Sequence, residues 1–231
     1  MEKLLISLCL IFFSSCSSLL YYPTRELHFP PEKFGLKPEE VLFQSGDGTR
    51  LFGWLFRHSP PSQSAQPKAV IAFYHGNGEN LSSHYVSMIW TLRHGFDLFI
   101  FDYRGYGRSD GKPNPEGTVA DGAAALRWLK ARYPSTPILI YGQSLGGAIA
   151  LRNAIDLKDE IGFRALIIDS GFSSYKEVGR KVMARGVLSW PLQWIPLLVL
   201  SDHVAPSGEI AKIAPVPLLV MHAEGDETVP F

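Results

Sequence analysis

Five short, unbroken apolar segments, separated by helical patterns, constrain the fold of this chain more than any other feature. Apolar runs of about four to eight residues between polar turns are typical of strands buried on both faces of a parallel sheet. The segments are residues 69–74, 97–101, 138–141, 165–168 and 217–221. Their alternation with helices predicts an α/β fold with a doubly wound, mostly parallel sheet.

Two further strands are predicted ahead of this sheet. Residues 41–44 and 51–57 flank the turn dipeptide Asp47-Gly48, which is a strong hairpin signal. We therefore expect an N-terminal antiparallel hairpin. Helices are predicted over 81–94, 117–133 and 146–157, and a helical insertion over about 171–213. The apolar content of this insertion fits either a substrate wall or ordinary packing, and packing is the more common case.

Composition excludes several classes of protein. Hydrophobic residues make up 46% of the 231, and 22 basic side chains balance 22 acidic ones. This is normal for a packed core, and zero net charge argues against nucleic acid as a partner. The two cysteines, Cys9 and Cys16, both lie in the first sixteen residues. The remainder of the chain therefore has neither a disulfide framework nor a thiolate metal site, and we expect no metal and no cofactor.

The first fifteen residues have the pattern of a secretory signal peptide. An apolar run over residues 4–13 is followed by small residues, and it is too short to span a bilayer as a helix. The alternative is an uncleaved anchor over residues 4–20, which the hydroxyl-rich second half disfavours. We expect residues 1–15 to be a signal peptide and residues 16–40 to be a linker. Within the latter, the stretch 21–38 is rich in proline and charge and fits either a linker or an arm wrapped on the domain.

Cys16 is predicted to carry a lipid. The segment Phe13-Ser14-Ser15-Cys16 resembles a bacterial lipobox, with Phe13 in place of the usual leucine. A lone cysteine in the mature chain is better explained as a lipid attachment site than as a reactive thiol. This predicts an exported, membrane-anchored lipoprotein of the bacterial envelope. A serine directly after the lipidated cysteine, here Ser17, resembles the pattern that sorts lipoproteins to the outer membrane in bacteria with two membranes.

The segment Gly142-Gln143-Ser144-Leu145-Gly146 carries the main catalytic signal. It lies between a predicted strand and a predicted helix, which is the context of a nucleophile elbow. A tight turn needs small residues around the serine, and the helix N-terminus favours a developing anion. Ser144 is therefore the candidate nucleophile.

Two backbone amides are candidates for an oxyanion hole. His75-Gly76-Asn77-Gly78 follows the strand at 69–74, where glycines let the backbone approach a substrate oxygen. We assign the N–H groups of Asn77 and Leu145 as the two donors. His75 is expected to be structural.

Asp226 is the candidate acid that would orient a histidine, because Gly225-Asp226 follows the last predicted strand. The polar, glycine-rich loop 102–111 is expected to be held by side-chain bonds of Asp102 and Arg104.

In order along the chain, these motifs resemble the α/β-hydrolase superfamily, and most of all its Bem46-like and depalmitoylating-thioesterase-like members. The resemblance covers residues 41–231 and implies Ser144 as nucleophile and Asp226 as triad acid. In that fold the histidine follows the acid, yet the five residues after Asp226 include none. We therefore expect the last helix-strand-helix portion to be missing. His222 and His203 are alternative, less favoured bases.

The sequence thus favours a serine hydrolase of small acyl esters or acyl thioesters, anchored to a membrane and weakly active or inactive for want of a base. A serine peptidase on the same scaffold and a non-catalytic, lipid-anchored binding protein are the alternatives.

Lipidation of Cys16 can be tested by metabolic labelling with a radioactive fatty acid. We expect the label to follow the wild-type protein and a Cys9→Ala control, because Cys9 lies in the segment that is removed. The Cys16→Ala variant should carry none, since it lacks the thiol that takes the lipid. Equal labelling of Cys16→Ala and wild type would contradict the assignment.

Overall fold

The computed structural model describes residues 21–58, 66–226 and 229. The predicted signal peptide, 1–15, and Cys16 lie outside these residues. Within the described part, no helix combines the length and the apolar character needed to cross a membrane.

A single sheet organises the described residues. It has seven strands in the order β1-β2-β4-β3-β5-β6-β7. The strands are β1 Glu39–Gln44, β2 Arg50–Phe56, β3 Ala69–Tyr74, β4 Phe96–Asp102, β5 Ile138–Gln143, β6 Ala165–Asp169 and β7 Leu218–Met221. β1 and β2 are antiparallel to each other, β2 is antiparallel to β4, and β3 to β7 run parallel. The predicted mostly parallel sheet with an N-terminal hairpin is confirmed.

Helices cover both faces of the sheet. They are α1 Leu81–His84, α2 Pro115–Arg132, α3 Leu145–Ile161, α4 Tyr175–Arg185 and α5 Ile195–Val199. Short 3₁₀ helices occur at Pro31–Phe34, Tyr85–Ser87, Ile89–His94, Trp190–Leu192 and Ile210–Ile213. α2 and α3 pack with one apolar cluster, which includes Leu126 and Ile149. The opposite face of the sheet packs around Trp54 and Tyr85.

The prediction of one helix over 81–94 is wrong, because this segment divides into α1 and two 3₁₀ helices. Hydroxyl groups of three of its residues bond nearby carbonyls: Ser83 bonds Asn80, Ser87 bonds His84 and Thr91 bonds Met88. Such local bonds compete with the regular pattern of an α-helix. The segment ends at Gly95, whose φ of 89° is the left-handed conformation of a glycine cap.

α4, α5 and two of the 3₁₀ helices lie between β6 and β7, in the region predicted as a helical insertion. Several of its large apolar side chains face solvent. Val187 and Leu188 are more than 90% exposed, and Trp190 and Trp194 are more than half exposed.

A buried ion pair fixes the loop that follows β4. The Arg104 guanidinium donates to both carboxylate oxygens of Asp121 on α2, and the Arg104 backbone N–H donates to the same carboxylate at 2.8 Å. The Asp121 side chain is fully buried, while Asp47 on the hairpin turn provides a second, more exposed partner at 2.9 Å. The loop is therefore tied both to α2 and to the hairpin.

Replacing Asp121 by alanine should lower the free energy of unfolding by about 3 kcal/mol, because it removes the buried carboxylate and leaves the guanidinium with the peripheral Asp47 and the neutral Ser45 hydroxyl. Urea unfolding would measure the change. The control is Asp110→Ala, which removes an exposed pair with Arg50 and should cost about 1 kcal/mol or less. Equal costs for the two variants would contradict a structural role for the buried pair.

Candidate active site

Ser144 occupies a strained turn between β5 and α3. Its backbone has φ 51° and ψ −118°, a conformation that L-residues rarely adopt. The Ser144 backbone N–H donates to the Asp169 carbonyl at 2.8 Å, which extends the pairing of β5 with β6 by one residue. The side chain is partly exposed at the carboxyl edge of the sheet. The strand, turn and helix therefore present this hydroxyl outward.

Two glycines make this turn sterically possible. A Cβ on Gly146 would lie 2.1 Å from the Tyr74 carbonyl oxygen, and a Cβ on Gly142 would lie 2.7 Å from the Gly146 carbonyl oxygen. Both distances are far below contact distance, so neither position accepts a side chain. The first residues of α3 thus pack directly against the end of β3.

The loop after β3 approaches the same serine. A Cβ on Gly76 would lie 3.6 Å from the Ser144 Cβ and 3.3 Å from the His84 Cε1. The structure therefore brings the segment containing Asn77 beside Ser144. Leu145, the other predicted oxyanion donor, is the first residue of α3 and immediately follows the serine.

The Asn77 side chain is held on the outer side of this loop. Its Oδ1 accepts hydrogen bonds from the Tyr22 backbone N–H at 3.0 Å, the Gly78 backbone N–H at 2.9 Å and the Tyr106 hydroxyl at 2.7 Å. Two of these partners are backbone amides, which can only donate, so they fix which end of the carboxamide is the oxygen. The Asn77 side chain is thereby committed to holding the loop.

His84 lies near Ser144, the candidate nucleophile, and is not among the predicted site residues. Its ring nitrogens lie 3.3 Å from the Gln143 Oε1 and 3.2 Å from the Gly78 carbonyl oxygen. Burial lowers the pKa of His84 to about 4, and the nearby His75 acts in the same direction. The imidazole is thus neutral at pH 7, with both nitrogens against Gln143 and Gly78 rather than against Ser144.

His75 is fully buried below the loop. Its ring lies 5.1 Å from the His84 ring and 4.6 Å from the Tyr103 ring, and its Nε2 lies 3.5 Å from the Asp102 carboxylate. These contacts agree with a structural histidine.

Asp226 lies five residues beyond β7 near the same edge of the sheet. Gln143 is level with Asp169, and Asp169 is level with Met221. Because neighbouring strands are about 4.8 Å apart, the backbones of Ser144 and His222 are separated by roughly 10 Å. One carboxylate oxygen of Asp226 lies 3.6 Å from the His222 Nε2, and the other accepts from the Val229 N–H at 2.9 Å. The structure therefore joins Asp226 to His222.

Neither His222 nor His203, the alternative bases, bonds the Ser144 hydroxyl. His222 Nε2 lies 2.7 Å from the Val229 carbonyl oxygen, and His203 faces Glu116 at 3.4 Å on the surface. In the described part of the chain, no histidine forms a hydrogen bond with the Ser144 hydroxyl. The structure thus brings Ser144 beside the loop at 76–78 and leaves the Asp226–His222 pair about two strands away.

A polar cavity of about 360 Å³ adjoins this edge between α4 and the end of β7, with Ser174, Glu177 and His222 among its lining residues. Among the residues that can be described, no three His, Cys, Asp or Glu side chains converge to hold a metal ion.

Comparison with known proteins connects this geometry to a family. Residues 65–212 match the family model described as "Serine aminopeptidase, S33". The chain is 33% identical over 218 residues to the uncharacterized protein YfhR of Escherichia coli K12. The aligned region covers 93% of this chain and 71% of YfhR. It is 29% identical over 206 residues to the protein bem46 of Schizosaccharomyces pombe, covering 87% and 64% of the two chains.

A solved structure gives the same picture of the fold. The esterase Pf2001 of Pyrococcus furiosus superposes with a TM-score of 0.71 at 21% identity, covering 91% of this chain and 79% of the esterase. At that identity the likeness supports the α/β-hydrolase fold alone.

The backbone strain at Ser144 can be measured through protein stability, with no need for an enzymatic assay. Ser144→Ala and Ser144→Gly both remove the hydroxyl, but only alanine keeps a Cβ in the strained conformation. We therefore expect Ser144→Gly to be the more stable of the two by about 1 kcal/mol in urea unfolding.

The matched control uses Ser87, an exposed residue of a 3₁₀ helix. There glycine should be less stable than alanine by about 0.5–1 kcal/mol. If glycine is the less stable residue at both positions, the turn at Ser144 is not strained.

Proposed function

Because this chain belongs to the Bem46-like α/β hydrolases and matches the S33 serine aminopeptidase family, we propose that it is a serine hydrolase that cleaves small carboxylic esters or thioesters. The carrying observation is the strained turn that presents Ser144 beside the amide loop containing Asn77. Strain of this kind is typical of active sites. Ser170, at the end of the neighbouring strand, has the same φ of 51°, so a positive φ does not by itself mark a nucleophile. What distinguishes Ser144 is the glycine loop that approaches its Cβ.

The proposed chemistry proceeds in two steps. The Ser144 Oγ forms a bond to the acyl carbon, the bond from that carbon to the leaving oxygen or sulfur breaks, and the serine proton passes through a base to the leaving group. Water then attacks the acyl-enzyme, which releases the carboxylic acid and restores the hydroxyl.

In both steps the carbonyl oxygen becomes negatively charged. The N–H groups of Asn77 and Leu145 are proposed to stabilise that charge, each by roughly 10²–10³ in rate. Leu145 contributes from the N-terminal end of a 17-residue helix, where the helix dipole also favours an anion.

Proton transfer is proposed to limit turnover by this chain. Asp226 would orient a histidine, but no described histidine contacts the Ser144 hydroxyl. A serine without a base is a weak nucleophile at neutral pH. Imidazole added to the solution can take the place of such a base, provided that it reaches the partly exposed serine.

A peptidase with the same machinery remains the second candidate, because the matching family model is described as a serine aminopeptidase. The two activities differ in the leaving group, an alcohol or thiol in one and an amine in the other.

The test measures hydrolysis of 4-nitrophenyl butanoate, with and without imidazole, together with mass spectrometry of the peptide that contains Ser144. We expect a butanoyl adduct on Ser144 and a serine-dependent rate that imidazole raises about tenfold or more. Ser144→Ala, run in parallel, subtracts the direct reaction of imidazole with the ester.

Ser170→Ala is the matched control, because Ser170 follows the neighbouring strand with the same φ of 51°. It should keep the wild-type rate. A hydrolysis rate unchanged in Ser144→Ala, or a butanoyl adduct of the wild type on a residue other than Ser144, would refute the proposal. Absence of both turnover and adduct in the wild type would favour a binding protein. Faster cleavage of an aminoacyl 4-nitroanilide than of the ester would favour the peptidase.

A further inference from the structure

The segment before the hairpin runs along the loop that carries the proposed oxyanion donor. We define residues 21–29 as the N-terminal arm. The Thr24 backbone N–H donates to the Glu79 carbonyl at 3.0 Å, and the Phe29 N–H donates to the Ser82 carbonyl at 3.2 Å. The Asn80 side chain returns a bond of 2.7 Å to the Glu26 carbonyl. The arm is therefore bonded along its length to the loop after β3 and to the first turn of α1.

The arm also reaches the loop after β4. The Gly107 N–H donates to the Thr24 carbonyl at 2.9 Å, and the Arg25 guanidinium bonds the Gly107 carbonyl at 3.3 Å. Tyr21, at the start of the described arm, is buried. The arm thus lies between two loops at the carboxyl edge of the sheet and touches both.

All these elements meet at the Asn77 carboxamide oxygen. It accepts one bond from the arm, through the Tyr22 N–H, and one from the loop after β4, through the Tyr106 hydroxyl. A third bond comes from the N–H of Gly78, the next residue. The Asn77 side chain is therefore the point at which the arm and the two loops are bonded to one another.

We propose that the N-terminal arm, acting through the Asn77 carboxamide and Tyr106, positions the Asn77 backbone N–H for oxyanion stabilisation. This inference rests on the function proposed above. The glycines on either side of Asn77 leave the loop backbone free to rotate, and Gly78 has a φ of 84°. The side-chain bonds restrict that freedom, so Tyr22 and Tyr106 are positioning residues rather than catalytic ones.

The experiment removes single donors while leaving the loop sequence intact. Tyr22→Pro deletes the backbone N–H, whereas Tyr22→Ala keeps it and loses only a side chain that is 66% exposed. Tyr106→Phe deletes the hydroxyl donor. Tyr74→Phe is its control, because this buried tyrosine bonds the Gly122 carbonyl, away from the arm.

Two measurements are made on each variant of the full chain. Kinetics with 4-nitrophenyl butanoate and imidazole should show kcat about tenfold lower in Tyr22→Pro and Tyr106→Phe with KM unchanged, because an oxyanion donor acts in the transition state. Tyr22→Ala and Tyr74→Phe should stay within about twofold of wild type. Hydrogen–deuterium exchange should be faster over residues 76–82 in the first pair and unchanged in the second.

The two measurements separate this inference from the proposed function. If the wild type shows no turnover, the proposed function fails, and faster exchange in the first pair alone still supports positioning of the loop by the arm. Unchanged exchange in Tyr22→Pro and Tyr106→Phe overturns the inference. So does an active enzyme whose kcat is unaffected although its loop exchanges faster, or a KM change with kcat constant.

Discussion

The close approach of α3 to the end of β3 is the constraint on which the proposed site depends. Gly146 lies so near the Tyr74 carbonyl that no side chain fits between them, and the loop that follows β3 then runs beside Ser144. Any larger residue at Gly146 would separate helix from strand and would move the serine away from the amides at 76–78. The strain at Ser144 and the amide loop beside it are thus two results of one steric arrangement.

Much of this arrangement could be predicted because its signals are local. Buried parallel strands appear in the sequence as short apolar runs, and the elbow appears as glycines around Ser144, since both depend on residues adjacent in the chain. The segment 81–94 was predicted poorly, because its hydroxyl side chains bond nearby carbonyls and interrupt a helix that the apolar spacing suggests.

The contacts around the loop after β3 could not be predicted, for a different reason. The Tyr22 N–H reaches Asn77 across 55 residues, and the Tyr106 hydroxyl reaches the same side chain across 29. The His84 ring lies against Gly78, 6 residues away, and against Gln143, 59 residues away. No spacing in the sequence indicates a meeting of this kind, and a tyrosine that donates to a carboxamide resembles any other core aromatic. Only the hydrogen bonds of the folded chain show that these groups meet around a single loop.

Two expectations remained open for the N-terminal part of the chain. Composition leaves residues 21–38 either as a linker, which tolerates changes in its length and path, or as an arm wrapped on the domain. Residues 21–29 form a wrapped arm, because their backbone groups bond specific partners on the loops after β3 and β4. If residues ahead of Tyr21 are tethered to a membrane, as the lipobox-like segment predicts, the tether would join the described domain at the arm that is proposed to position the oxyanion loop.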